Sequence, residues 1–321
     1  MNMLKKKNSL VFLTAVIVFS LLVSGMAAAQ DTTFLSIATG GTSGTYYPIG
    51  GAIAKVLNEN VENINTSAQS TGASVTNTRL IYNQQVELAI LQNDIASYAV
   101  NGQNQFADSQ VNNMRGIAVL YPEVIQIIVR DEAGIESIKD LKGKSVAVGA
   151  PGSGAEANAS QILKHFDLTY EDIEEDYLSF GEAASRLKDR QIDAAFLTAG
   201  IPTAAVMDVA ATQDISLLNF SDSDIESLNE AYPYLTGVTV PAGTYNGLEK
   251  DVQTVALKAI LVADAALSED VVYNITKAIF ENRDTLIAAH DRARDIKLES
   301  ALDGMTVELH PGAQKYYNEV K

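Results

Sequence analysis

Short apolar runs and longer segments with helical spacing alternate along the chain. The stripe Ile49, Ala52, Ile53 and Val56 marks the first helix, which follows an apolar run directly. The runs that resemble strands are Phe34–Thr39, Ile64–Ser70, Val86–Leu91, Ser145–Val148, Asp176–Phe180, Ile192–Leu197 and Ile215–Phe220. This alternation predicts an α/β fold built from βαβ units, with a largely parallel sheet.

Two further apolar runs, Met114–Leu120 and Val124–Arg130, are separated by Tyr121-Pro122. The second run has no helical stripe and is predicted to be a strand that crosses to another domain. The strand-and-helix order then restarts, and Thr236–Val240 and Val252–Ala263 are apolar segments that can return the chain to the first domain.

We therefore predict two lobes with a ligand cleft between them. Lobe 1 comprises residues 31–121 and 236–321, and lobe 2 comprises residues 122–235. Near the C-terminus, Ser268–His290 is predicted to be one long helix and Pro311–Val320 a last helix.

Two glycine-rich turns each follow a predicted strand and open a helix. They are Gly40–Gly51, which reads Gly-Gly-Thr-Ser-Gly-Thr-Tyr-Tyr-Pro-Ile-Gly-Gly, and Gly149–Gly154, which reads Gly-Ala-Pro-Gly-Ser-Gly. Free backbone N–H groups and the positive dipole end of a helix N-terminus favour an anion, and glycine lets it approach closely. A tight structural turn is the alternative for each. The adjacent Tyr46 and Tyr47 point in different directions, so one is expected in the core and the other in the cleft.

Polar residues also follow the strands at Ser70–Val75 and Gln92–Asp94, and in open α/β sheets ligands bind at such strand ends. Arg79 follows the first of these segments and is a candidate counter-ion for a carboxylate. The predicted ligand-binding residues are Gly41, Thr42, Ser43, Gly44, Tyr46, Tyr47, Ser70, Thr71, Gly72, Arg79, Gln92, Asn93, Asp94, Pro151, Ser153, Gly154 and Thr198.

The first 29 residues have the pattern of a secretory signal peptide. Lys5–Lys7 form a basic segment, Leu10–Val23 an apolar segment, and Ala27–Ala29 a cleavage site. We expect cleavage after about Ala29, a periplasmic location and no stable membrane insertion afterwards. The chain has no cysteine, which excludes disulfides, thiol nucleophiles and a lipidated cysteine.

The net charge is −17, and it becomes about −20 without the three lysines of the first 29 residues. Such a chain repels nucleic acid on average, so no nucleic-acid partner is expected. A small organic acid or acidic amino acid can still bind, because helix N-termini act locally. We expect a monomer.

The sequence contains no complete catalytic or cofactor-binding motif. Gly152-Ser-Gly-Ala-Glu-Ala157 matches a dinucleotide-binding pattern, but no acid follows the next predicted strand. The acidic run Glu171–Asp176 lacks the spacing of a calcium loop. We therefore predict no cofactor, no metal and no enzymatic activity.

The segments Gly40–Pro48, Ser70–Ala73, Gln92–Asp94, Gly149–Gly154 and Pro241–Tyr245 resemble, in this order, the TAXI family. These are extracytoplasmic solute-binding proteins of TRAP transporters. The resemblance covers the chain from Asp31 to its end. It implies a two-lobed periplasmic-binding-protein fold of type II topology, and a small carboxylate such as glutamate, glutamine or 2-oxoglutarate. It also implies delivery to TRAP permease membrane subunits driven by a sodium gradient.

Two other functions fit the same scaffold. One is a ligand-binding module that reports to a sensor kinase instead of a permease, which the sequence does not separate from transport. The other is a periplasmic enzyme, against which the lack of cysteine, clustered histidine and a nucleophile–base pair argues.

Overall fold

Strands and helices alternate as predicted in the computed structural model, which describes residues Thr32–Val320. The predicted signal peptide lies outside the described residues. The strands are β1 (Thr33–Ala38), β2 (Ile64–Gln69), β3 (Leu88–Gln92), β4 (Met114–Arg130), β5 (Ser145–Ala147), β6 (Glu174–Asp176), β7 (Ala194–Ala199), β8 (Ile215–Leu217), β9 (Thr236–Val240) and β10 (Val252–Asp264).

The helices pack around these strands. They are α1 (Tyr46–Asn60), α2 (Ser74–Tyr82), α3 (Asn93–Asn101), α4 (Gly154–His165), α5 (Phe180–Lys188), α6 (Ala204–Ala210), α7 (Asp222–Ala231), α8 (Glu269–Glu281), α9 (Arg283–Ala289) and α10 (Pro311–Val320). Short 3₁₀ helices span Asn104–Phe106, Asp131–Ala133, Ile138–Leu141, Tyr170–Asp172 and Asp291–Asp295. Contacts group Phe34–Lys321 into one unit, and the division into two lobes at the predicted boundaries stays a prediction.

All ten strands belong to one sheet, in the order β2-β1-β3-β10-β4-β7-β5-β6, with β8 paired to β4 and β9 paired to β10. β1 and β3 are parallel, and β5 is parallel to both β6 and β7. The largely parallel sheet was predicted wrongly at its centre, where β10 is antiparallel to β3 and β4, and β4 is antiparallel to β7. Hydrophobic spacing predicts that a segment is a strand, but it does not fix the direction in which that strand pairs with distant neighbours.

Helices cover both faces of the sheet, which gives the three-layer α/β architecture. Along β10, Ala259 and Leu261 pack in one apolar cluster with α1, α8 and α10. Ile260 and Val262 pack in another cluster with α2 and α3. This period-two alternation is what a strand buried on both faces requires. Two more clusters surround β5 and β7, with α4 on one side and α5 and α6 on the other.

Three predicted elements differ from the structure by more than a shift of a few residues at one end. The two apolar runs around Pro122 form the single strand β4, in which Pro122 lies opposite Lys258 of β10 and the nearest register irregularity falls at Leu120. The predicted long helix is two helices, because Asn282 leaves the helical region and its side chain donates to the backbone oxygen of Ala278. The predicted strand Asp176–Phe180 ends at Asp176, since Ser179 caps α5.

The close packing of α10 against α8 generates a test of the fold. A Cβ at Gly312 would overlap the backbone oxygen of Glu269 and the backbone nitrogen of Tyr273. We expect Gly312→Ala to lower the free energy of unfolding by about 1–3 kcal/mol, because overpacking separates the two helices. Urea titration followed by circular dichroism measures this change.

The matched control is Gly51→Ala in α1, where a Cβ would meet nothing within 4 Å. The same substitution there should raise stability by about 0.5–1 kcal/mol, because alanine restricts the unfolded chain and favours the helix. Equal effects of the two substitutions would contradict the described packing of α10.

Candidate functional site

A cavity lies where four helices begin. Its volume is about 80 Å³, and a single water needs roughly 10–15 Å³ by the same measure, so a small organic molecule fits. Its lining residues come from the glycine turns, the strand ends and the helix starts. They are Gly40, Gly41, Gly44, Thr45, Tyr46, Thr71, Gly72, Ala73, Ser74, Gln92, Glu123, Ala150, Ser153, Gly154, Ala155, Ser179, Phe180, Thr198 and Ala199.

The first residues of α1, α2, α4 and α5 all line the cavity. Side-chain caps occupy two of these N-termini, because Ser153 accepts from the N–H of Glu156 and Ser179 accepts from that of Glu182. α1 and α2 have no side-chain cap hydrogen bond. In α2 the N–H of Thr76 donates to the backbone oxygen of Gly152 at 3.0 Å, and in α1 Pro48 has no N–H. The two N–H groups before each of these residues, with the positive dipole ends of the helices, can hold an anion. None of the described lining residues is a lysine, arginine or histidine.

Glycine permits close packing at two points of the cavity wall. A Cβ at Gly154 would overlap the carboxamide of Gln92. A Cβ at Gly72 would lie 2.6 Å from Thr76 Oγ1. Gly41 differs, since a Cβ there would meet nothing within 4 Å. Two of these glycines therefore permit close packing, and the third leaves open space beside the cavity.

A buried polar network centred on Asn158 of α4 fixes one wall. Asn158 Nδ2 donates to Asp94 Oδ2 at 3.2 Å. Asn158 Oδ1 accepts from Gln92 Nε2 and from Thr198 Oγ1, both at 3.1 Å. The Asp94 carboxylate thus determines which way the Asn158 amide points, and Asn158 in turn orients Gln92. As a result Gln92 Oε1 is buried without a hydrogen-bond partner in the described part of the chain.

A second network holds the polar turn that precedes α2. Asn77 is fully buried and donates to the backbone oxygens of Thr39 and Ile90, at 2.6 and 2.7 Å. Thr71 Oγ1 lies 2.9 Å from Thr39 O and 2.5 Å from Asn77 Oδ1. Ala73, directly before the helix, has φ +68°. These bonds attach the turn to the ends of β1 and β3, which positions Thr71 at the cavity.

Glu123 lies in the middle of β4 and lines the cavity, and it is not among the predicted site residues. Its side chain is 2% exposed, and its Oε2 accepts a hydrogen bond of 2.7 Å from the Tyr46 hydroxyl. Burial raises the pKa of Glu123 to about 8, against the lowering effect of the Tyr46 hydrogen bond, and the nearby Asp94 charge raises it further. The carboxyl is therefore largely neutral at pH 7.

Glu123 could have been found from one feature of the sequence. It is the only acid between Met114 and Val129, a stretch that is otherwise apolar apart from Arg115 and Gln126. A charged residue there must be paired, neutral or functional, because burying an unpaired charge is costly. Because β4 was predicted as two shorter runs, Glu123 fell in the predicted connection between them, where an acidic residue is expected to be exposed to solvent.

The structure brings part of the predicted site together at the cavity, and the ligand-binding role of every residue stays a prediction. The predicted residues that line the cavity are Gly41, Gly44, Tyr46, Thr71, Gly72, Gln92, Ser153, Gly154 and Thr198. The predicted residues outside the lining are Thr42, Ser43, Tyr47, Ser70, Arg79, Asn93, Asp94 and Pro151.

Several of the residues outside the lining have other partners. Ser70 Oγ donates to the backbone oxygen of Gly40 at 3.0 Å, and Asn93 Nδ2 donates to that of Gly304 at 3.1 Å. Arg79 is exposed in the last turn of α2. Tyr46 is buried in the core and also lines the cavity, whereas Tyr47 is 37% exposed. The expected split of the two tyrosines between core and cleft does not occur, because Tyr46 occupies both places.

A model of the NMT1-like family matches residues 37–320. Among solved structures, the chain is similar to a protein of Bordetella bronchiseptica RB50, with TM-score 0.54 and 16% identity, covering 87% of this chain and 83% of that one. It is similar to the binding protein component of an ABC phosphonate transporter from Pseudomonas aeruginosa, with TM-score 0.51, 11% identity, and 82% and 79% covered.

It is also similar to the periplasmic aliphatic sulphonate binding protein SsuA from Escherichia coli, with TM-score 0.50, 15% identity, and 89% and 82% covered. These similarities confirm the predicted α/β fold of periplasmic binding proteins. Across residues 32–320, no helix has the length and apolar character to cross a membrane, and no group of three or more histidine, aspartate or glutamate residues could hold a metal ion.

The burial of Glu123 predicts how stability depends on pH. Its folded-state pKa of about 8 exceeds the ordinary value of 4.5, so the folded protein binds a proton that the unfolded chain releases. Stability relative to Glu123→Gln should therefore be greatest below about pH 4.5 and fall as pH rises through 8, by at most about 5 kcal/mol. Glutamine imitates the neutral carboxyl but does not titrate, so the Glu123→Gln variant lacks the pH-dependent contribution of Glu123 to the free energy of unfolding.

Chemical denaturation of both proteins between pH 5 and 8.5 measures the difference, in which other titrating groups largely cancel. A difference that is constant with pH, or that grows in favour of the wild type, would contradict a neutral buried Glu123.

Proposed function

The chain belongs to the NMT1-like family, and from that premise we propose that it is an extracytoplasmic solute-binding protein for a small carboxylate. The observation that carries this proposal is the cavity into which α1, α2, α4 and α5 direct their N-termini. Two of those N-termini have no side-chain cap, and no anionic side chain other than Glu123 lines the cavity among the described residues. A carboxylate would satisfy those N–H groups and gain from the dipoles.

The size and character of the cavity support a small ligand. Hydroxyls of Thr71, Ser74 and Thr198 and the phenyl ring of Phe180 stand beside the helix starts. This combination of apolar surface and a few convergent polar groups is typical of small-molecule sites. We propose a role in binding without catalysis, because the described lining residues include no cysteine, lysine or histidine.

The resemblance of Gly40–Pro48 and the later turns to the TAXI family supports the finer proposal. We propose that the ligand is glutamate, glutamine, 2-oxoglutarate or a similar acid, and that a TRAP permease receives it. The signal-peptide pattern of the first 29 residues supports a periplasmic location after cleavage. We also propose a monomer with one site per chain.

An ABC importer is the second candidate partner. The Pseudomonas aeruginosa protein with the same fold is named as a component of an ABC phosphonate transporter. A sensor kinase is a third candidate, on which the contacts of the cavity have no bearing. The anion-binding helix starts suit phosphonates as well as carboxylates, so ligand and energy source need separate tests.

We expect small carboxylates to stabilise the protein, with one site per chain. At a ligand concentration about 100-fold above Kd, the gain in unfolding free energy is about 2.7 kcal/mol. Thermal denaturation across a panel of carboxylates, phosphonates, sulphonates and sugars, followed by calorimetry, measures selectivity and stoichiometry. Mass spectrometry of ligand released from purified, denatured protein provides an independent identification.

Gly41→Val locates the binding site, because Gly41 lines the cavity and has room for a side chain. It should weaken binding while leaving the unliganded protein stable, and Gly51→Ala, outside the lining, should leave affinity unchanged. Stabilisation by sugars alone, or unchanged affinity in Gly41→Val, would refute carboxylate binding in this cavity.

Transport in vesicles separates the two permease classes. With a TRAP permease and, separately, an ABC importer of the same source reconstituted in liposomes, we expect uptake that needs this protein, the TRAP permease and a sodium gradient. Uptake that continues without sodium but stops without internal or external ATP would identify an ABC importer instead. Vesicles supplied with heat-denatured protein are the control.

A further inference from the structure

Glu123 presents an unused acceptor to the cavity. Among the described residues, one hydrogen bond reaches its carboxyl group, from the Tyr46 hydroxyl to Oε2, and none reaches Oε1. The Tyr46 hydroxyl lies 3.3 Å from Ser74 Oγ, which accepts from the backbone N–H of Gln92 at 3.2 Å. Glu123 and Gln92 therefore stand on one connected wall.

That wall is rich in acceptors. Gln92 is 2% exposed and lines the cavity, and its Oε1 has no partner in the part of the chain that the structure describes. Glu123 Oε1 and Gln92 Oε1 are thus two acceptors without a hydrogen-bond donor on the same wall. Unsatisfied buried polar atoms are rare in folded proteins, so this pair points to a missing donor.

We propose that Glu123 binds the protonated amine of the ligand, so that the cavity selects a small zwitterion such as an α-amino acid. An ammonium has three donors and no acceptor, which matches Glu123 Oε1 and the other acceptors of this wall. The ligand carboxylate then occupies the helix N-termini. This inference rests on the proposed carboxylate function and narrows it, since an acid that lacks the amine leaves Glu123 unpaired.

The charged and titratable groups around Glu123 favour an incoming cation. Tyr46 of α1 and Asp94 of α3 act on its carboxyl, which in turn raises the pKa of Tyr121 of β4, and no cationic side chain of the described residues acts on it. Asp94 is itself buried, and its pKa is raised to about 6 by desolvation. The ligand amine is therefore the counter-ion that this region lacks.

Proton exchange follows from the binding step. The neutral Glu123 of the empty cavity gives up its proton to solvent when the ammonium arrives, so binding at pH 7 releases about one proton. The affinity for an amino acid should rise about 50-fold between pH 6 and 8, because the ionised fraction of a carboxyl with a pKa of about 8 rises by that factor.

The test compares each amino acid with the 2-oxo acid of the same carbon skeleton, beginning with L-glutamate and 2-oxoglutarate. Calorimetry of the full protein, in buffers of different ionisation enthalpy from pH 6 to 8.5, measures affinity and proton release together. We expect tight amino-acid binding with proton release, and binding of the 2-oxo acid that is at least 30-fold weaker at pH 8.

Glu123→Gln should weaken amino-acid binding by about 30-fold or more, remove the pH dependence, and leave 2-oxo acid binding equal or tighter. Glu249→Gln, the same change at an exposed position, is the matched control and should change neither.

Preference for the 2-oxo acid, with affinity that falls as pH rises, would overturn the inference, since Glu123 would then donate its proton to the ligand. Equal loss of both ligands in Glu123→Gln would also overturn it and leave the carboxylate function standing. If neither class of acid binds the wild type, the proposed function fails, and this inference fails with it.

Discussion

The antiparallel pairing of β4 with β10 is the constraint on which the site depends. The two strands pair from Val124 opposite Ala256 to Met114 opposite Asp264, and together they supply residues to all four apolar clusters. Met114–Tyr121 of β4 and Ala259–Ala263 of β10 pack in two of these clusters, whereas Val124–Val129 and Val252–Leu257 pack in the other two. The apolar clusters therefore change between Tyr121 and Val124, and Glu123 lies at this change.

The polar wall of the cavity is fixed by atoms that cannot be exchanged. The ionised Asp94 carboxylate has no proton to donate, so it accepts from Asn158 Nδ2 and fixes the orientation of the Asn158 amide. Gln92 and Thr198 then donate to Asn158 Oδ1. A buried network of this kind specifies one arrangement of the wall before any ligand arrives. The Tyr46–Glu123 hydrogen bond extends the same order to β4.

Hydrophobic spacing was sufficient to predict the α/β fold, the first and last helices and the positions of both glycine turns. It failed where a polar side chain acts on the backbone, as Asn282 does when it interrupts the predicted long helix. It also failed at Pro122. Here β4 continues through the proline because it pairs with β10, and this pairing with a strand distant in sequence leaves no mark on the local hydrophobic pattern. About half of the predicted site residues line the cavity, because strand ends and helix starts can be predicted from local sequence. The role of Glu123 could not be predicted in this way, because its burial results from the tertiary pairing of β4.

The neutral state of Glu123 follows from a comparison of magnitudes. The N-terminus of α1, one residue of which donates to the carboxyl, stabilises a negative charge by about 2 kcal/mol at most. Removing a carboxylate from water costs several kcal/mol even after the protein relaxes, so desolvation prevails and the pKa rises. A neutral acid leaves the positive helix ends uncompensated. In the proposed complex the ligand carboxylate compensates the positive ends of the helices. The ligand ammonium pairs with Glu123 and makes its ionisation favourable. The two charges of the ligand therefore act on two different groups of the cavity.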